Sequence, residues 1–114
     1  MHELGTVVYI MDTVEKLAVE NELSEIASVT VQIGEVSGII PEYIADFWLY
    51  SRKKSELLKN TELIIEDLPA VTYCDNCGKT YKTVEHGKQC PHCGSYDTFL
   101  LTGNEYIIKE IQAM

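Results

Sequence analysis

Four cysteines stand in two closely spaced pairs in the second half of the chain. Cys74 and Cys77 form the first pair, Cys90 and Cys93 form the second, and a glycine follows each pair. These are all of the cysteines among the 114 residues. Two thiolates three positions apart bind one ion from a single tight turn, and two such turns complete a tetrahedral zinc site. Glycine accepts positive φ, which lets each turn direct backbone N–H groups at the sulfurs. The spacing therefore predicts a structural zinc ion.

Three other uses of the same cysteines stay open at this point. Two disulfides, a redox-active dithiol and a rubredoxin-type iron site draw on a similar set of ligands. No secretory signal peptide is recognisable, so we do not expect an oxidising compartment. Iron is the main rival of zinc, because the residue types alone do not separate the two metals. His86 and His92 are expected to be exposed, since four cysteines already complete a tetrahedron.

The first three residues offer a second set of ligands. The amine of Met1 and the amide nitrogen of His2 would close a five-membered chelate ring, and this amide with the imidazole would close a six-membered one. Glu3 would add a carboxylate oxygen or a further amide nitrogen. A nitrogen-rich, near-planar set suits Ni(II) or Cu(II), and an initiator methionine is expected to be retained before a bulky histidine. An ordinary frayed terminus is the alternative that three residues alone leave open.

Composition excludes several classes of function. The chain is 46% hydrophobic and carries a net charge of −9, which opposes binding to nucleic-acid phosphates and suits cations or basic protein surfaces. No apolar run approaches the roughly 18 residues of a membrane span, so we expect a cytoplasmic protein without membrane contact. We find no nucleophile–base pair and no phosphate-binding loop. We therefore expect no catalytic residues and no enzymatic activity.

Hydrophobic periodicity predicts two helices and three strands. Apolar residues at three- and four-residue steps predict a helix from Leu4 to about Glu20. Pro41 is expected near the start of a second helix, which carries Trp48 as a core anchor. The buried stripe of the first helix is predicted to contain Leu4, Val7, Val8, Met11, Val14, Leu17 and Ala18. The alternating segments that predict strands are Ser28–Val36, Thr61–Asp67 and Glu105–Ile111.

The order of these elements predicts an α+β fold in which a small three-stranded sheet with two helices carries an inserted zinc-ribbon module. Residues 1–69 and 104–114 are expected to form one α+β domain, and residues 70–103 are expected to form the ribbon. The two joins, near Pro69 and Gly103, are predicted to act as hinges.

Four segments together resemble the HypA/HybF family of hydrogenase nickel-incorporation proteins. They are Met1-His2-Glu3-Leu4, Val31-Gln32-Ile33-Gly34-Glu35-Val36-Ser37, the two cysteine pairs, and the closing stretch from Gly103 to Ile111. The resemblance covers essentially the whole chain, and the combination is more specific than a zinc ribbon alone. It implies a nickel metallochaperone with His2 as a nickel ligand, helped by the amine of Met1 and by Glu3. It also implies structural zinc on Cys74, Cys77, Cys90 and Cys93.

The resemblance implies partners as well. A nickel-delivery GTPase and the large subunit of [NiFe] hydrogenase are expected, and urease maturation proteins are further candidates because some members also serve urease. A monomer and a homodimer are equally compatible with the sequence. The alternatives are a zinc-ribbon adaptor for nucleic acid or protein and a rubredoxin-like electron carrier. The net charge argues against nucleic acid, because the only lysines of the ribbon are Lys79, Lys82 and Lys88.

Overall fold

Strands and helices alternate along the chain before the cysteines, and short strands follow. The computed structural model describes residues 2–114, apart from the side chain of His2. Its helices are α1 (His2–Glu20), α2 (Pro41–Ser51) and the short α3 (Thr83–His86). Its strands are β1 (Ile26–Gly34), β2 (Glu62–Leu68), β3 (Val71–Cys74), β4 (Thr80–Lys82), β5 (Thr98–Thr102) and β6 (Tyr106–Ala113). The predicted α+β class is confirmed. The predicted strands are all present, with bounds shifted by one or two residues.

Two three-stranded sheets are formed, in the orders β2-β1-β6 and β4-β3-β5. The chain divides into two compact units. The first, here called the helical unit, comprises the residues up to Gln32, Ile39–Glu66 and Ile107–Met114. The second, the ribbon unit, comprises Ile33–Gly38 and Asp67–Tyr106. In the described part of the chain, no helix combines the length and the apolar character that crossing a membrane requires.

Helix α1 begins at His2, two residues earlier than predicted, and buries a different stripe. Its fully buried side chains are Val7, Ile10, Val14 and Ala18. The prediction was wrong for three other members of the stripe, because Leu4, Val8 and Leu17 are exposed. This helix has apolar residues on more than one of its sides, so periodicity alone does not determine which side faces the core.

The C-terminal end of α1 is closed by a Schellman-type turn. The Leu23 N–H donates to the Ala18 carbonyl at 2.8 Å, and the Asn21 N–H donates to the Leu17 carbonyl at 3.0 Å. Glu22 has φ 55°, in the left-handed region where glycine is preferred. The last turn also lacks a basic residue, although the helix dipole favours positive charge there. This helix end therefore carries a residue that neither backbone nor dipole favours.

Helix α2 anchors the core of the helical unit through one tryptophan. Pro41 occupies the first turn, as predicted, and Trp48 is fully buried. Its Nε1–H donates to the Thr61 carbonyl at 3.0 Å, and Arg52 Nη1 donates to the same oxygen at 2.9 Å. The Thr61 hydroxyl in turn donates to the Ile26 carbonyl at 2.7 Å. Thr61 therefore connects α2 with the first residue of β1.

Replacing Thr61 with valine should lower the free energy of unfolding by about 1–3 kcal/mol, because the swap leaves a buried acceptor without its donor. Urea denaturation followed by Trp48 fluorescence measures this change. Thr13→Val is the matched control, since Thr13 is only half-buried on a helix where the two residue types have similar propensity. Equal costs for both variants would show that the Thr61 hydroxyl adds nothing.

The ribbon unit is built on the sheet β4-β3-β5. Strand β3 pairs antiparallel with both neighbours, and Tyr73 packs against Phe99 with ring centroids 5.3 Å apart. Strand β5 lies at an edge of this sheet. Its three large apolar residues, Phe99, Leu100 and Leu101, are all exposed.

Three segments of the ribbon unit are joined closely at Gly34 and Gly103. The Gly34 N–H donates to the Glu105 carbonyl and the Val36 N–H donates to the Gly103 carbonyl, both at 2.8 Å. The Gly103 N–H donates to the Glu105 carboxylate at 2.8 Å, a bond that lowers the pKa of this carboxyl. Gly103 is buried with φ 106° against the backbone of Ala70. The position predicted to be a hinge is therefore held by hydrogen bonds on both sides of its backbone.

Candidate metal centres

The two cysteine pairs lie in turns of the same construction. In the first turn, the Cys74 N–H donates to the Lys79 carbonyl at 2.9 Å and the Gly78 N–H donates to the Cys74 carbonyl at 2.8 Å. The second turn repeats both bonds at the same lengths, with Cys90, Ser95 and Gly94 in the three roles. Gly78 and Gly94 have φ 74° and 78°, as the sequence predicted. The local sequence C-x-x-C-G thus folds twice into one ligand-bearing turn.

The four sulfurs converge on one point. All four Sγ atoms lie within 4.8 Å of one another, and the Cys74–Cys93 and Cys77–Cys90 pairs are each 3.6 Å apart. A tetrahedron with metal–sulfur bonds of about 2.3 Å has sulfur–sulfur edges of about 3.8 Å. A disulfide would require about 2.05 Å, and all four cysteines are free. The geometry fits a tetrahedral metal ion, and no disulfide joins any of the four cysteines.

Hydrogen bonds set the protonation of two of the thiols. The Asn76 side chain and the Ser95 N–H lower the pKa of Cys93 to about 6. The Lys79 N–H lowers the pKa of Cys77, but burial and hydrogen bonds with the other three thiols outweigh it and raise this pKa to about 11. Without metal, the Cys93 thiol therefore loses its proton more readily than the Cys77 thiol. Metal binding must displace the remaining protons, so its affinity decreases as the pH is lowered.

The cysteines also form the small core of the ribbon. Cys74 and Cys90 are buried with Tyr81, and Cys77 packs against them. His86 and His92 are exposed, as predicted. Among the side chains that the structure describes, the four cysteines are the only group of three or more potential ligands close enough to share an ion. The ribbon therefore brings the four predicted residues together as one potential metal site.

The predicted N-terminal ligands lie mostly outside the described part of the chain, which excludes Met1 and the His2 imidazole. Glu3 is described and is buried at 8% exposure. Its carboxylate accepts the Ile40 N–H at 3.2 Å, next to the start of α2. No local sequence signal indicates this contact, because the two residues are far apart in the chain. A helix that begins at His2 does not use its first amide N–H groups in its own hydrogen-bond ladder.

Comparisons with known proteins agree with the features of both halves of the chain. The family model described as "Hydrogenase/urease nickel incorporation, metallochaperone, hypA" matches residues 1–113. The hydrogenase maturation factors HypA of Geobacter metallireducens and Actinobacillus succinogenes are 30% and 32% identical to the chain. The alignments cover 98% of both chains in the first case and 97% of both in the second.

A solved structure shows the same fold. The solution structure of the Ni metallochaperone HypA from Helicobacter pylori superimposes with a TM-score of 0.76 at 24% identity, covering 98% of this chain and 97% of that one. The family is one of metallochaperones, which are not enzymes, and this agrees with the expectation of no catalytic residues. The resemblance predicted from the sequence is confirmed, and the chain belongs to the HypA family of nickel-incorporation metallochaperones.

Proposed function

We propose that this protein binds one Ni(II) ion at its N-terminus and delivers it to the large subunit of [NiFe] hydrogenase during maturation. The observation that carries the proposal is that the nickel-incorporation family model matches from residue 1, where the chain reads Met1-His2-Glu3. Nickel is the cargo, so the site must bind the ion firmly and still release it. A chelate built from one end of the chain leaves the ion open to an acceptor on its other side.

The ligand set follows from the chemistry of these residues. The imidazole of His2 and the amine of Met1 are nitrogen donors of the kind that Ni(II) prefers in a square-planar arrangement. The amide nitrogen of His2 joins them into two fused chelate rings. Because the carboxylate of Glu3 already accepts the Ile40 N–H, we assign the backbone nitrogen of Glu3, rather than its carboxylate, as the fourth donor. That contact instead fixes the direction of the first turn of α1.

We assign a structural zinc ion to Cys74, Cys77, Cys90 and Cys93. Zinc adopts tetrahedral thiolate sites without redox chemistry, which suits a carrier protein. The rubredoxin-like alternative predicts iron in the same site, with a red colour and visible charge-transfer absorption. Metal analysis of the purified protein decides between the two: a colourless protein with one zinc per chain supports the structural assignment, and a red iron protein contradicts it.

The partners are proposed on the same basis. The chain has no phosphate-binding loop of its own, so we place the nucleotide-dependent step on a GTPase partner. Urease maturation proteins are a second class of recipient. We assign nickel binding to residues 1–69 and 104–114, and zinc binding to residues 70–103. We propose a cytoplasmic location, which is supported by four free cysteines whose thiols would have to stay reduced.

A calorimetric titration with Ni(II) tests the nickel site. The untagged protein should bind one ion per chain, whereas His2→Ala and a variant with one extra residue before Met1 should lose this binding, because each removes donors from the fused rings. The affinity should also decrease steeply below about pH 7, since protons compete for an amine with a pKa of about 7.7–8.0 and an imidazole with a pKa of about 6.5.

His92→Ala is the matched control, since it removes an exposed histidine from the ribbon. It should bind nickel like the wild type. If the two N-terminal variants bind as tightly as the wild type, the N-terminal site is wrong. If His92→Ala loses binding instead, the nickel ligands lie in the ribbon.

A further inference from the structure

An open groove in the helical unit contains none of the metal ligands assigned above. It has a volume of about 850 Å³ and lies where the end of α1 meets the start of β1, residues 56–60 and Met114. Six of its lining residues are apolar and are here called the apolar lining: Ala18, Val19, Leu23, Ile26, Leu57 and Met114. Val19 and Met114 are 78% and 80% exposed. Two large apolar side chains are therefore exposed to solvent at this groove, and the groove has room for several apolar side chains of a binding partner.

The groove also has an acidic part. Glu15, Glu25 and Glu56 belong to its lining. Lys59 is the only basic residue in the lining, and its ammonium lies 2.9 Å from the Glu56 carboxylate. The negative end of the α1 dipole adds to this charge. The groove therefore combines apolar side chains with a net negative charge.

The turn that borders the groove keeps its charge against local preference. Glu22 adopts φ 55°, which side chains other than glycine rarely accept, and stands just beyond a helix end that already disfavours a carboxylate. Leu23 and Ser24, the next two residues, line the groove. Glycine at position 22 would suit both the backbone and the dipole. The stability of the helix therefore does not account for this carboxylate, which adds negative charge next to the groove.

We propose that this groove binds a basic amphipathic helix of a partner protein, whose apolar side chains contact the apolar lining while its lysines and arginines face the glutamates. An apolar groove that holds one face of an amphipathic helix is a common mode of peptide recognition. Complementary charge selects the basic partner and accelerates its association. A second copy of this chain fits poorly, because its own net charge is −9. The proposal is independent of the nickel site and of the identity of the metal in the ribbon.

A defined probe tests the proposal in the full-length, metal-loaded protein. The probe is a fluorescein-labelled peptide of about 14 residues. Its leucines are spaced three and four residues apart so that they share one face of a helix, and its lysines occupy the other face. Fluorescence anisotropy should show saturable binding that weakens as salt is added. The double variant Glu25→Lys/Glu56→Lys should weaken binding by about tenfold or more.

Asp46→Lys/Glu110→Lys is the matched control. It changes the net charge equally at two exposed positions outside the groove, and it should alter binding by less than about twofold. Equal weakening by both double variants would mean non-specific attraction to an acidic protein and would overturn the proposal. Binding of a leucine–glutamate peptide with the same affinity would overturn it too.

The contribution of the apolar lining to binding is tested separately. Val19→Ser removes an exposed groove side chain and should weaken peptide binding, whereas Val84→Ser, which changes another exposed valine in the ribbon unit, should not. In ¹H–¹⁵N correlation spectra the peptide should shift the amides of Leu23 and Leu57. Shifts confined to other surfaces, absence of binding by the wild type, or self-association that Val19→Ser abolishes would each refute the assigned occupant. Nickel titration of the same variants should be unchanged, which separates this outcome from the test of the N-terminal site.

Discussion

Cys90→Ser should unfold the ribbon unit while the helical unit stays folded. Cys90 and Cys74 are the most deeply buried side chains of the ribbon cluster, and Tyr81 is the only other buried member. So small a core cannot offset the entropy of ordering this segment. We expect the free energy of metal binding, about 10–16 kcal/mol for zinc in zinc-finger peptides, to supply the difference. Serine oxygen is a much poorer zinc ligand than a thiolate, and removal of zinc with a chelator should have the same effect.

Two signals separate the units in this experiment. Trp48, the single tryptophan, lies in the helical unit and should keep the same emission spectrum. Trypsin should meanwhile cut at Lys79, Lys82 and Lys88, which the folded ribbon protects. Ser95→Ala is the control, because it leaves the backbone N–H at that position in place. Continued protection of these lysines in the zinc-free Cys90→Ser protein would show that the ribbon has another source of stability.

Gly103→Ala should lower the free energy of unfolding by about 3–5 kcal/mol or prevent folding of the ribbon unit. Two costs add at this position. Its φ of 106° is one that residues with a side chain rarely adopt, and a methyl group would overlap the backbone of Ala70 and lie 2.7 Å from its Cβ. The backbone at this position cannot shift easily to relieve either cost, because Gly103 is hydrogen-bonded through both its N–H and its carbonyl.

Other glycines separate these two costs. Gly34→Ala brings only the steric cost, since its Cβ would meet the Gly103 carbonyl and lie 2.7 Å from the Glu105 oxygen. Gly87→Ala brings only the conformational cost at φ 63°, in open space. Gly5→Ala brings neither and should stabilise α1 by about 1 kcal/mol. Thermal unfolding should rank the variants in this order of loss, with Gly103→Ala the least stable. A Gly103→Ala protein as stable as Gly87→Ala would contradict the close packing.

The ribbon could be predicted in detail because its information is local. The cysteine spacing and the following glycines specify the turns, and no distant residue is needed to explain why Gly78 and Gly94 adopt positive φ. The short helix α3 was missed, because its four residues, Thr83–His86, are too few to show periodicity. Asn76, whose side chain donates a hydrogen bond to the Cys93 sulfur, was missed because asparagine at this position is also an ordinary turn residue.

Contacts over long sequence separations account for the errors elsewhere. The stripe on α1 was misplaced at Leu4 and Val8 because the helix has apolar residues on two sides, and the rest of the fold decides which side is buried. The contact of Glu3 with Ile40 could not be predicted for the same reason. The sequence predicts a flexible join at Gly103. In the structure Ala70 lies so close that there is no space for a side chain, and this makes glycine necessary.

The exposed edge strand β5 has a consequence for the handling of this protein. Thr98–Thr102 reads TFLLT, a segment without charge, proline or glycine. Segments of this kind, rich in β-forming apolar residues, are those that assemble into cross-β fibres when they are released from their native pairing. In the folded ribbon, pairing with β3 occupies one side of this strand and limits such growth. Loss of the metal would free both sides, so we expect the bound metal to protect the protein against aggregation as well as to maintain the shape of the ribbon.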